Sequence, residues 1–537
     1  MTATRLVLLV ALAGAPLTFA PLSESAAQDL PTGDTLIKKI YDEGMQRSQA
    51  WRFGQVLMDS IGPRLTGSPA NRSANDWVMQ TYIAMGVQAK KEQYGTWRDW
   101  TRGPSRIEMT APRVARIDAI VVPWSPGTPP AGVAGEVTIV PPIAVTKDSA
   151  GFAAWLKTVK GKVVMTSLPR TSCRPDSSWI HWAGRDVWVT MRAQRDTARR
   201  EFISRTSVIG GLPVAAGAPP RTIQALAEAN GAIGILISSW AGEWGTNKME
   251  SAARTTTIPQ YDVSCEDYGL LARLAENNMH PAIRMYADVK LQPNESPVYN
   301  TIATVRGTEK PNEYVMLSAH LDSWDAGTGA TDNGTGTVIM LEAMRILHAV
   351  YPNPKRTIIA GHWSGEEQGD IGSSAWAADH PEIVNSLQAL FNQDNGTGNI
   401  DHVVTNGFTG AAAFLAKWMS TMPAEVTKGI GIELPGFPQD AGTDSDAFTC
   451  RNSPGFQLNS ADWDYGDATW HTNRDTFDKI SWAEVKRNAI YVAMMAYLAS
   501  EEPAVVPRTR RTVGARGRPV PQCNRALRSY KESLAGR

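Results

Sequence analysis

Beyond Pro293-Asn294-Glu295-Ser296-Pro297 the chain settles into a repeated strand–loop–helix alternation, and this limits the fold more than any other feature. Residues 314–319 read as a buried strand, 338–350 as an amphipathic helix, and 357–360 as another strand. Residues 389–391 and 455–458 read as further strands, and Ser481 with Glu484 makes a capping box that opens a last helix through Leu498. Strands alternating with helices predict the α/β class, with a helix-covered, mixed, largely parallel sheet.

The first half has a different texture. Residues 34–60 read as a helix, Gly62-Pro63-Arg64-Leu65-Thr66-Gly67 as a turn-rich break, and 70–85 as a second helix. Strand-like segments follow near Ile107 and over 117–122, and 123–130 (PWSPGTPP) reads as a linker. From Val133 to about Ile283 short β-rich runs alternate with helical stretches such as 223–229. Arg5, the apolar residues 6–13 and the small residues Ser25-Ala26-Ala27 read as an export signal ending at residue 27. That stretch is too short to span a bilayer, and no later run reaches membrane length. The expected location is therefore secreted or periplasmic. The expected organisation is a signal peptide (1–27), two parts of one domain (28–127 and 291–505) flanking an inserted β-rich segment (128–290), and a basic, mobile tail (506–537).

Lys+Arg and Asp+Glu both number 53, so net charge gives no reason to expect a nucleic-acid partner. The four cysteines, Cys173, Cys265, Cys450 and Cys523, are too widely spaced for a thiolate zinc cluster. Export permits disulfides, and a Cys173–Cys265 pair is the natural one to try, since both fall in the inserted segment.

In open α/β sheets ligands collect beyond the carboxyl ends of the strands. The strand over 314–319 runs into His320-Leu321-Asp322 and then a Gly-rich loop to Asp332-Asn333-Gly334. The next runs into Gly365-Glu366-Glu367, the next into Asp394-Asn395-Gly396, and the strand near Phe456 leads towards His471. Taken singly, each is ordinary: a polar loop histidine, a solvated Glu-Glu pair, an Asp-Asn-Gly turn. In this order and at successive strand ends they form a convergent set of imidazole and carboxylate donors, suited to zinc with cobalt or manganese as substitutes. His181, His280, His348, His362, His380 and His402 lack such company and read as structural or surface residues.

The stretches HLDSWDAGTGATDNG (320–334), SGEEQG (364–369), NQDNGTG (392–398), GTDSDAF (442–448) and WHTNRDTFDKI (470–480) resemble the M28 metallopeptidase family. Within it they are most like the plasma glutamate carboxypeptidase-type enzymes. The likeness extends from GPRLTGSPA (62–70) to the final helix. The segments VKGKVVM (159–165), NGAIGILISS (230–239) and TTIPQYDVSCEDYGLL (256–271) resemble a protease-associated (PA) domain, which in the family interrupts the peptidase domain and helps to wall the cleft. The resemblance implies an exopeptidase with two zinc ions per chain. Asp332 would bridge them, His320 and Asp394 would complete one site, and Glu367 and His471 the other. It further implies Glu366 as general base, Asp322 as the partner that fixes the His320 tautomer, and a cis bond between Asp332 and Asn333. The family's oxyanion-stabilising Tyr before the last His is here Trp470, so Tyr465 is the candidate donor.

The expected partner is a peptide, with no nucleic acid and no membrane span; a homodimer is compatible with the sequence. Two other readings stand beside this one. A single-zinc glutaminyl cyclase-like enzyme is disfavoured by the insertion, and an inactive M28-fold receptor or scaffold by the intact ligands and Glu366. A serine hydrolase is disfavoured because no G-x-S-x-G occurs.

Overall fold

The apolar run after Glu313 becomes the Lys310–His320 strand, buried without interruption from Val315 to His320. In the computed structural model, which describes residues 33–141, 148–207, 222–434, 436–438 and 441–535, this strand is central in the sheet. Arg356–Trp363 and Leu387–Gln393 flank it in parallel, and Gly455–Ser460 runs parallel to Leu387–Gln393. Antiparallel neighbours close the group: Ala282–Val305 beside Arg356–Trp363, and Ile400–Val404 beside Gly455–Ser460. The sheet is thus mixed, with a parallel centre whose carboxyl ends all open on one edge.

Strand periodicity sorts the core. Val315 and Leu317 face the Thr335–Val350 and Trp482–Glu501 helices, packing with Val338, Met344, Val485 and Tyr491, while Ile37 and Ile40 of the Thr35–Gln46 helix close the same layer. Met316 faces the opposite way, into a layer with Ile359, Trp363, Trp376, Leu390 and Phe448. Each such side chain contributes roughly 1.5–3 kcal/mol of burial. Helices on both faces leave the strand ends as the sheet's open functional edge.

Two 24-residue strands, Gln88–Ala111 and Ala282–Val305, pair antiparallel and carry the chain into and out of the inserted region. There Val133–Ile139, Val163–Met165, Gly234–Ile237 and Gln260–Val263 form a parallel run, joined to the main sheet where Val133–Ile139 pairs with Ala282–Val305. Cys173 and Cys265 form the expected disulfide across it.

Three expectations need correction. The helix over 34–60 is broken: Thr35–Gln46 is followed by Ala50–Gly54, which continues as a wider turn over Gln55–Ile61. The final helix starts where expected, but Ser481 makes no side-chain cap bond. A capping box would give the Ser481 N–H to Glu484, and that N–H instead donates to Thr397 Oγ1 at 2.9 Å. The C-terminal segment is pinned to the body. Cys523 is bonded to Cys450, Arg528 pairs with Asp379 at 2.7 Å, and Thr96 N–H donates to the Arg528 carbonyl at 2.9 Å. Its arginines are spent on the body's groups: Arg510 Nε donates to the Asn406 carbonyl at 2.7 Å and Arg508 Nη2 to the Leu387 carbonyl at 2.9 Å. The leader expected over 1–27 lies outside the described residues. Among the described residues no helix is long and apolar enough to cross a membrane.

Candidate active site

The strand ends deliver the acidic and histidine residues to one place. His320 closes its strand and is fully buried. Its Nδ1 lies 3.0 Å from the Asp322 carbonyl oxygen, to which an Nδ1–H donates, leaving Nε2 as the free donor atom. Nε2 is 2.9 Å from Asp394 Oδ1, 3.3 Å from Asp332 Oδ1 and 3.9 Å from Glu366 Oε2. The bond expected from the Asp322 carboxylate to this imidazole is not made, since its Oδ1 stands 3.6 Å from Nδ1. The chain turns so sharply after His320 that the main-chain carbonyl of Asp322 meets the ring instead. The carboxylate accepts from Thr66 Oγ1 at 2.7 Å and from the Glu366 N–H at 3.3 Å. Asp322 thus meets the ring through its backbone carbonyl and the Glu366 turn through its side chain.

Asp332 sits in an irregular turn over Ala330–Gly334, and its bond to Asn333 is cis, as the resemblance implied. Glu366 and Glu367 follow Gly365, whose φ of 80° is left-handed and where a Cβ would lie 2.3 Å from the Ile371 side chain. Glu367 Oε1 accepts from the Trp324 N–H at 3.2 Å, and its Oε2 is 3.1 Å from His471 Nε2. His471 Nε2 is 3.2 Å from Asp332 Oδ2. Its ring lies between Trp470, centroids 4.3 Å apart, and Trp324 at 6.0 Å.

Two three-donor groups result, His320–Asp332–Asp394 and Asp332–Glu367–His471, each with its ligand atoms within 4.8 Å of one another and Asp332 common to both. Glu366 belongs to neither. Asp332, Glu366, Glu367, Asp394, Tyr465, Trp470 and His471 line one cleft of about 360 Å³. Tyr465 also walls a neighbouring cavity, and its ring packs against Gly396, where a Cβ would lie 3.2 Å away.

The electrostatics are those of a site short of positive charge. Burial pushes the Glu367 carboxyl up to about 7 despite His471, and pushes Glu366 well above the usual carboxylate range. Burial opposes a charge on His471 too, but the Glu367 charge and the bonds to Asp332 outweigh it and lift the imidazole to about 10. Burial would raise Asp332, yet its bonds to His320 and His471 hold it well below its ordinary value. Asp332 Oδ2 is buried, and its contact with His471 Nε2 at 3.2 Å is an ion pair without aligned hydrogen-bond geometry, the kind of poorly satisfied acceptor that a metal ion completes. Imidazole nitrogen with carboxylate oxygen is a donor set that zinc accepts, so the residues present fit such an ion.

Two residues that sequence reasoning left unassigned stand directly behind this site. Arg64, fully buried, donates to four main-chain carbonyls of the surrounding loops; burial lowers it to about 10 while Asp475 and Asp322 hold its charge. Asp475 accepts from the backbone of Thr331 and Asp332. The available signals were slight: an arginine inside a Gly-Pro turn, and an aspartate four residues after His471.

Residues 300–496 match the model of peptidase family M28. Carboxypeptidase Q of Mus musculus is 26% identical over 495 residues, covering 92% of this chain and 94% of the relative. Carboxypeptidase Q of Homo sapiens is 24% identical over 494 residues, covering 92% and 93%. Among solved structures, a peptidase M28 precursor from Shewanella amazonensis superposes with a TM-score of 0.63 at 22% identity, covering 88% of this chain and 97% of that one. BSAP, a zinc aminopeptidase from Bacillus subtilis, gives 0.52 at 18% identity, covering 84% and 94%. These two likenesses establish the fold. With the family match over the very residues that build the site, this chain is a metallopeptidase with a peptidase family M28 domain over residues 300–496.

Proposed function

We propose that the protein is an exported exopeptidase that holds two zinc ions and hydrolyses peptide bonds near a chain terminus. The observation that carries this reading is the pair of three-donor groups joined through Asp332, with a further carboxylate, Glu366, in the same cleft and in neither group. His320, Asp332 and Asp394 would hold one ion, and Asp332, Glu367 and His471 the other. When bound, two such ions would supply Lewis acidity, lowering the pKa of water and polarising the scissile carbonyl. Glu366 is the general base: its carboxylate takes the proton of the attacking water and returns it to the leaving amine. A base must not be consumed as a ligand, and Glu366 meets that condition. The Asp322 carboxylate, bonded to the Glu366 N–H, keeps this turn in place. Tyr465, on the wall of the cleft, is the candidate hydrogen-bond donor to the oxyanion.

Residues 128–290 are proposed to be a PA domain that walls the cleft. Support comes from Lys248, which pairs with Thr472 in a short antiparallel bridge, and from the Met249 N–H, which donates to the His471 carbonyl at 2.9 Å. Export accords with the two disulfides and with the expected leader. The remaining boundaries (28–127, 291–505, 506–537) follow from this division, and a homodimer is compatible with it.

Metal content is the deciding experiment, read beside activity on aminoacyl-4-nitroanilides and on dipeptides with free and blocked N-termini. About two zinc ions per chain and turnover of terminal substrates are expected. One ion with cyclisation of N-terminal glutamine would favour the cyclase reading; no ion and no turnover would favour the scaffold. The completeness of both donor groups argues against each.

A further inference from the structure

The loop between the Lys310–His320 strand and the Thr335–Val350 helix begins at one metal-ligand candidate and ends just after another. Most of its backbone has no sheet or helix partner, yet Asp332 must present one oxygen to each donor group. Ligand aim of that kind needs a supporting shell that fixes atoms to about 0.5 Å.

Two buried side chains hold this loop. Arg64 donates through Nε to the Leu321 carbonyl at 2.6 Å, and through its terminal nitrogens to the carbonyls of Thr328 at 2.8 Å and Gly329 at 2.7 Å. Its own N–H donates to Ser323 Oγ at 3.0 Å. Asp475, only 3% exposed, accepts from the Thr331 N–H at 2.6 Å, the Thr331 hydroxyl at 2.7 Å and the Asp332 N–H at 3.1 Å. Its main-chain carbonyl takes the Thr328 N–H at 2.8 Å. The approach is close enough to require glycine at Gly327, where a Cβ would lie 2.5 Å from the Asp475 carbonyl oxygen.

We infer that Asp475, braced by Arg64, is a positioning residue that sets the aim of Asp332. It does so from the same loop that carries His471, so one short segment supplies a ligand to one group and orients the ligand shared by both. The inference rests on the two-metal reading of Asp332. Three donors converge on the Asp475 carboxylate, and only a side chain with two acceptor oxygens receives them all. An asparagine would turn an N–H₂ towards one of those donors.

The test is zinc affinity, measured by competition with a chromophoric chelator on the full chain, alongside thermal unfolding of the chelator-treated protein. Asp475→Asn should weaken both zinc sites by ~10-fold or more, the usual cost of removing a ligand's outer partner, because the shared ligand loses its aim. Asp394→Asn, which alters one group alone, should weaken one site. Thr331→Val removes a single donor at nearly constant shape and should weaken both sites by a smaller factor, which keeps the idea testable should Asp475→Asn fail to fold. Saturating zinc should restore much of kcat in the Asp475 variant. If wild type holds two zinc ions while Asp475→Asn and Thr331→Val keep both constants and lose only thermal stability, Asp475 is merely structural and the inference falls. If wild type holds fewer than two, the two-metal reading falls and takes the inference with it.

Discussion

The parallel centre of the sheet and the inserted region solve opposite problems with the same kinds of residue. At the strand ends His320, Asp332, Asp394 and Glu367 are withdrawn from water and crowded together, at a cost in desolvation that only a shared positive charge offsets. In the inserted region Lys162 and His280 pair with Glu136, and Arg195 with Asp176, near solvent, and the buried carboxylate of Asp262 is met by the Ser239 N–H and the Asn247 amide rather than by other carboxylates. The first arrangement gathers carboxylates around two shared imidazoles, whereas the second disperses its charges into separate local contacts. The two regions meet where residues 247–249 lie along 471–473, so the insert touches the loop of His471 through its backbone, and among the described residues it adds no member to either three-donor group.

The largest expected effect divides two neighbours inside the crowded region. Glu366→Gln keeps shape but cannot accept a proton, so turnover should fall by at least ~10²–10⁴-fold while zinc content stays at the wild-type level. Glu367→Gln should lose metal from the His471 group, because a neutral amide is a poor zinc ligand, and should regain activity in excess zinc. Elemental analysis with a zinc titration of both variants reads the outcome. Metal loss from the Glu366 variant alone would reverse the two roles.

The same crowding fixes a pH signature. His471 is lifted to about 10 in the metal-free protein, and only a neutral imidazole binds zinc, so uptake at pH 7.5 should release protons into a weakly buffered solution. The stability linkage follows in sign. The folded value lies above the unfolded one of ~6.5, so this contribution is complete below that pH and is lost as pH rises towards 10. Asp332 is held below its ordinary value, so its contribution is present at neutral pH and lost only in acid. Chelator-treated protein should therefore melt lower at pH 9.5 than at pH 6.5, whereas the zinc-loaded protein should lose activity towards pH 5 as protons displace metal. An apoprotein melting point that climbs across that alkaline range would show that His471 is not the cluster's counter-charge.

How much of this was legible in the sequence follows from the distances over which residues act. His320, Glu366, Glu367 and Asp394 can be picked out because each stands at or just past a strand end, and Asp332 and His471 because loops following two of the sheet's strands carry them, a run visible as local pattern. Arg64 and Asp475 cannot. They work by binding main-chain atoms 257 and 144 residues away, respectively, and no composition or period records which carbonyl a guanidinium will meet. The sequence puts Asp322 two residues from His320, but whether its carboxylate or its carbonyl reaches the ring depends on one backbone turn. The C-terminal segment looked mobile because Arg, Pro and Gly dominate it, whereas its order comes from partners elsewhere: Cys450, Asp379 and exposed main-chain carbonyls.

The disulfides give a middle-sized contrast between regions. The Cys173–Cys265 bond spans 92 residues of the insert, and Cys450–Cys523 spans 73 and ties the C-terminal segment to the body. Breaking either by a Cys→Ser pair should cost about 2–4 kcal/mol of stability, chiefly by freeing the unfolded chain. Zinc content of the folded fraction should be unaffected in the first case, because among the described residues none of the insert belongs to either three-donor group. Zinc loss on opening Cys173–Cys265 would show that the insert holds the metal site together.

The smallest effects test the seam between the regions. His181, exposed with its ring against Trp182, has no donor group near it, and His181→Ala should leave metal content and kcat unchanged. Lys248 is the sharper probe. Its ammonium stands 3.8 Å from the centroid of the Trp470 ring and pairs with Glu250 at 2.9 Å, and its backbone forms the isolated bridge to Thr472. Lys248→Met keeps the length of the side chain and removes its charge, so the loss is the cation–π attraction and a partly exposed ion pair. Together these are worth about 0.7–2 kcal/mol, which caps the fall in kcat/KM at roughly thirty-fold. The fall should appear in KM, since Trp470 lines the cleft and His471 keeps its main-chain bond to Met249 whatever residue stands at position 248. Zinc affinity should stay at the wild-type value. A Lys248→Met protein that loses zinc from the His471 group would mean that side-chain packing across the seam, rather than backbone pairing, holds this ligand in place, and the inserted region would then have to be counted as part of the metal site.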